Sequence, residues 1–138
     1  MDDFRQVIDL SQVTSDDTLL LARAAAEAIR GLNWTTNSPA GLDQPSVAYD
    51  IIGALALAAS RLPQLITQII RWLGQAASAG RFGHDFGEDP ATAVEATVIF
   101  LDDARLAAAA LSGDLDAAQQ QLALINGTPR NRTRKEQS

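Results

Sequence analysis

Apolar residues along this chain recur three and four positions apart, the period of an α-helix, and no stretch alternates as a strand would. A short helical turn is expected over residues 3–9. The run "SDDTLLLARAAAEAIRGL" follows, with Ser15 as its expected N-cap, Asp16 and Asp17 beside the positive helix end, and Gly31 near its stop. Leu21, Ala25, Ala28 and Leu32 fall on one face. Residues 33–46, "NWTTNSPAGLDQPS", read as a loop from their Asn, Ser, Pro and Gly content.

A third helix is expected over residues 46–60, with Val47, Ile51, Leu55 and Ala58 at helical spacing. Proline has no amide hydrogen and its ring clashes with the preceding turn, so Pro63 predicts either a kink or the first turn of a fourth helix reaching about residue 78. "DPATAVEATVIFLDDARLAAAAL" predicts a long fifth helix, which "SGD" breaks. "DLDAAQQQLALI" makes the sixth, with Leu115, Ala118, Leu122 and Ile125 inward and Asn126-Gly127 closing it. The expectation is an all-α, single-domain bundle of about five to six helices over residues 1–127. Residues 128–138 are polar and basic, and a disordered tail is expected there.

Charge changes that picture only at the tail. The whole chain carries a formal charge of −6. The body to residue 129 holds seven arginines against sixteen acids, whereas residues 130–138 hold four basic groups and one acid. An acidic body repels nucleic acid, so contact with it would fall to Arg130, Arg132, Arg134 and Lys135. Ten arginines against one lysine, among many alanines, fit the codon usage of a GC-rich genome.

The absence of cysteine excludes disulfides, thiolate nucleophiles and thiolate-bound zinc, and fits a reducing compartment. "MDDFRQVIDL" has neither the basic start nor the apolar core of a signal peptide. The longest apolar run, "IIGALALAA", is about half of the roughly 20 residues that a membrane-spanning helix needs. A cytoplasmic protein without membrane contact is expected.

The stretch "GRFGHDFGEDPATAVEATVIF", residues 80–100, looks most like a chemical site, since it holds the single histidine, His84. Asp85-Phe86-Gly87 matches the metal-binding tripeptide of protein kinases, but the chain lacks that fold's other signatures. His84, Asp85, Glu88 and Asp89 match neither zinc spacing nor a calcium loop, so no metal or cofactor is expected. A helix corner explains these residues better, with Asp89 as N-cap, Pro90 in the first turn, and Phe82 and Phe86 tucked beneath. Asp102 and Asp103 point about 100° apart on a helix and do not make a carboxylate pair. With no Gly-x-Ser-x-Gly, dinucleotide or P-loop sequence, no catalytic residue is assigned.

"GLNWTT", "SRLPQLITQIIRWL" and "GHDFGEDP" give residues 15–125 a wording that resembles a family of uncharacterised small all-helical proteins from actinobacteria. The resemblance implies a single helical domain from a GC-rich bacterium and brings no activity with it.

One surface has the composition of an interface. Arg61, Gln64, Gln68, Arg71 and Gln75 recur at helical spacing as an acid-free polar stripe, with Trp72 on its flank. Leu62, Ile66, Ile69, Ile70, Leu73 and Ala76 fill the other side. These residues predict a non-enzymatic helical protein–protein interaction or assembly module that binds a protein partner through the stripe of helix 61–78. The alanine-rich faces and the nearly all-apolar fifth helix make a homodimer a further expectation. The alternative reading is a small-ligand or nucleic-acid-linked regulator using the basic tail.

Overall fold

Pro63 lies inside a helix, not at the start of one. In the computed structural model, which describes residues 11–125, the helices are α1 (Ser15–Thr36), α2 (Pro45–Ser78) and α3 (Pro90–Leu122). The all-α class therefore holds, with three helices among the described residues in place of the expected five to six. None of them is long and apolar enough to cross a membrane. The expected turn at 3–9, the Asn126-Gly127 stop and the 128–138 tail lie outside the described residues. The chain divides after Asp43 into two compact units.

The first unit contains α1. Its N-cap is Thr14, one residue before the expected Ser15, because only Thr14 has an acid three positions on. The Asp17 amide donates to Thr14 Oγ1 at 3.4 Å, and the Thr14 amide donates to Asp17 Oδ2 at 3.1 Å. That reciprocal pair satisfies two amides that a helix start leaves free. Gly31 does not end the helix, since its φ is not positive. The helix runs on through Trp34 to Thr36, whose hydroxyl donates to the Leu32 carbonyl at 2.6 Å. The loop thus begins at Asn37, four residues later than the sequence predicts. Within it, Gly41 packs so closely on the Thr35 carbonyl that a Cβ has no room.

The second unit is an antiparallel helical hairpin. Gln119 Nε2 donates to the Tyr49 carbonyl at 3.2 Å, and Ser112 Oγ donates to the Ala56 carbonyl at 3.2 Å. Moving seven residues forward on α2 moves seven back on α3, which fixes both direction and register. Continued one further repeat, that register sets Pro63 level with Arg105, and then Ile70 level with Val98.

The seam between the helices explains why two expected breaks are absent. On α3 the covered positions run from Val94 to Leu122 in alternating steps of four and three, through Val98, Leu101, Arg105, Ala108, Ser112, Leu115 and Gln119. The pattern passes through Ser112-Gly113-Asp114 without a change of phase. Ser112 is itself a seam residue, so the serine that signals a break locally is used across the interface. On α2 the same alternation runs from Ala56 through Ala59, Pro63, Ile66, Ile70 and Leu73 to Ala77. Pro63 costs one helical hydrogen bond, and packing on both sides of it keeps the helix in phase.

The seam is narrow. Among the described residues only Ala56, Ala59, Ala76 and Ala108 are buried. Small side chains let two helices approach toward the lower end of the usual 8–10 Å. Each buried methyl contributes only about 0.8 kcal/mol, and ordering one residue's backbone costs about 1–2 kcal/mol.

The connection between α2 and α3 is the corner expected from its sequence. Gly80, at φ 69°, ends α2 with the Arg81 amide donating to Ala76 and its own amide donating to Ala77, both at 3.0 Å. This is the left-handed glycine stop. Asp89 caps α3 by accepting from the Ala91 amide at 3.0 Å, and Pro90 follows in the first turn. Phe82 packs against Trp72 with ring centroids 5.6 Å apart. Phe86, expected beneath the loop, is exposed instead.

Candidate functional site: a second apolar seam on the hairpin

Within its own unit α2 packs on α3, which needs one apolar stripe, and α2 carries two. Beside the covered seam, Ile51, Leu55, Ala58, Leu62, Leu65, Ile69, Trp72 and Ala76 repeat in the same alternating steps of four and three, with Ile51 and Leu55 half-buried and Ala76 buried. All eight are apolar. From Leu62 to Trp72 the large members are exposed, at 39% for Leu62, 48% for Leu65, 42% for Ile69 and 49% for Trp72. On α3 a parallel stripe runs through Ala93, Thr97, Phe100, Ala104, Ala107 and Leu111, and Phe100 is 73% exposed.

The two stripes share one side of the hairpin. In an antiparallel pair, the column flanking the seam on one helix lies beside its equivalent on the other. A cleft of about 340 Å³ at the connected end shows this directly, because Trp72 lines it together with Phe82, Pro90, Ala93 and Thr97. The opposite side of the hairpin carries the charge: Ser60 and Thr67 of α2 lie on it with Glu95, Asp102 and Asp116 of α3, interspersed with exposed Leu57, Ile99 and Leu106. There Arg105 Nη2 and Nε donate to Asp102 Oδ1 at 2.6 and 3.0 Å.

Arg61, Gln64, Gln68, Arg71 and Gln75 are all exposed on the side of α2 that faces away from α3. None of their side chains makes a hydrogen bond or ion pair among the described residues. Arg61, Gln68 and Gln75 border the second seam, Gln64 and Arg71 share the column of Ser60 and Thr67, and Trp72 belongs to the second seam rather than to the polar stripe. Arg81 stands over the Trp72 ring at 5.9 Å from its centroid, within cation–π range. Arg130, Arg132, Arg134 and Lys135 lie outside the described residues.

The sequence reading missed Leu65 and Ile69 as functional positions. Their signal is present in the steps from Ile51 to Ala76, but it overlaps the covered seam, and the two read as one broad apolar side. His84, the other sequence candidate, acts locally: its Nδ1 accepts from the Phe86 amide at 3.1 Å. At the open end of the hairpin, Pro45, Tyr49, Asp50 and Leu122 line a second concavity, in which Asp50 is the one carboxylate.

No protein-family model, curated protein sequence or solved structure matches the chain. Its function is therefore argued from the geometry of this face.

Proposed function

We propose that this chain is a non-enzymatic α-helical protein-interaction module that acts in the cytoplasm. Its docking face is the second apolar seam of the α2–α3 hairpin, and Arg61, Gln68 and Gln75 of the polar stripe form its border. One observation carries this reading: an apolar heptad repeat on α2 whose large members from Leu62 to Trp72 remain exposed. Fully burying a side chain such as Leu or Ile is worth about 1.5–3 kcal/mol, so the gain left at Leu62, Leu65, Ile69 and Trp72 is large beside that of four buried alanines. The arginines and the tryptophan at the edge match the residue types that anchor interfaces.

A photo-crosslinking residue placed at Leu65, compared with one at Ser60 on the polar side, tests this reading in extract of the native host. Crosslinked product from position 65 and none from position 60 is the expected result. No product from either position, or equal product from both, contradicts the assignment of the face.

A further inference from the structure

We propose that the occupant of this face is a second copy of the chain, with α2 of each copy lying antiparallel on α3 of the other. The inference rests on the interaction-module reading and names its partner. It starts from how charge is divided between the two helices. From Ile51 to Ser78, α2 carries Arg61 and Arg71 and no acid. On α3, Arg105 is paired with Asp102 on the polar side, whereas Asp103 is exposed at the outer border of the apolar face. Arg61 occupies the corresponding border of α2. Neither Arg61 nor Asp103 has a hydrogen-bond or ion-pair partner among the described residues.

Two hairpins can stack face to face with twofold symmetry in two simple ways. If α2 lies on α2 with the stripes overlapped, the two Asp103 side chains meet at nearly the same height while the two Arg61 stand well apart, which sets like charges together and forms no opposite pair. If the twofold axis runs along the helices, α2 lies on α3 and every residue keeps its own height. Arg61 is level with Ala107 in its own hairpin, and so is level with Ala107 of the second copy. Asp103 of the second copy then sits one helical turn away on the same outer border, within reach of an arginine side chain. The arrangement forms two such pairs.

The size of the face suits this occupant. The exposed apolar stripes overlap along α2 from Ala58 to Trp72 and along α3 from Thr97 to Leu111, about 21 Å at 1.5 Å per residue. Two helices side by side are about 20 Å wide, which gives on the order of 900 Å² buried in total, the size of a weak, reversible association. The product is a four-helix bundle with the Leu65 and Ile69 side chains at its centre.

Sedimentation velocity on the full chain tests the proposal, with far-UV circular dichroism confirming helicity of each variant. The wild-type chain is expected to be a dimer. Arg61→Glu and Asp103→Arg are each expected to weaken dimerisation about tenfold, an effect that shrinks at high salt. The double variant Arg61→Glu/Asp103→Arg restores wild-type affinity, because both pairs are re-formed with reversed sign. A wild-type chain that stays monomeric at the highest soluble concentration overturns the proposal, as does a dimer whose double variant shows no recovery. A monomer that still crosslinks from position 65 to another protein removes the second copy and leaves the interaction module standing.

Discussion

Gln119 of α3 reaches across the hairpin to the Tyr49 carbonyl of α2, 70 residues away in sequence, and its amide rests where Gly53 has no Cβ. The glycine and the glutamine are thus one device. Gly53→Ala is expected to be neutral or destabilising in the wild-type chain, because a helix-propensity gain of about 1 kcal/mol is offset by displacing a hydrogen bond of similar worth. In a Gln119→Ala background the same substitution should stabilise by about 1 kcal/mol. Urea unfolding of the four proteins measures the coupling.

Gly113 gives a direct check on the continuous α3. It is exposed, helical, and has nothing near its absent side chain. Gly113→Ala should stabilise the chain by up to about 1 kcal/mol if the helix runs through Ser112-Gly113-Asp114. A destabilised protein would restore the break that the local sequence suggests.

Gly80 should respond with the opposite sign. Space is open around it as well, but its φ is 69°. Gly80→Ala is expected to cost about 1 kcal/mol in thermal or urea unfolding, from backbone conformation alone. Asp89→Ala, at the other end of the same connection, should cost about 1 kcal/mol through the lost cap on Ala91.

The alanine seam sets a limit on size. Ala56 and Ala108 are buried at 3% and 6% exposure. Ala108→Leu should force the helices apart and destabilise by about 1–3 kcal/mol. Ala107→Leu, one position round on the exposed stripe, should leave monomer stability within about 0.5 kcal/mol. Comparing the two denaturation midpoints separates the covered seam from the open one.

Local physics made the helical class, the Asp89-Pro90 cap and the Gly80 corner legible in the sequence, since each depends on a few adjacent residues. Helix continuity was not legible. Pro63 and Ser112-Gly113-Asp114 are breakers by propensity, and only the register of the partner helix shows that both lie on one unbroken seam. The orientation of α2 was hidden for a related reason. Val47, Ile51, Leu55 and Ala58 form the larger apolar face, yet the hairpin buries Ala56 and Ala59, because close approach of two helices favours the small side chains. Val47, Ile51 and Leu55 are only half-buried as a result, and farther along α2 Leu62, Leu65, Ile69 and Trp72 are exposed, which helical periodicity alone does not reveal.

The most direct test of the docking face uses the absence of cysteine in the chain. Leu65→Cys and Ala104→Cys chains are prepared separately, mixed, and oxidised under mild conditions. If α2 lies on α3 of a second copy, the two positions face each other and a mixed disulfide dimer forms, whereas neither variant alone crosslinks efficiently, since a disulfide needs Cα atoms within about 7 Å. A disulfide dimer from the Leu65→Cys chain alone, or no mixed dimer at all, would contradict the account.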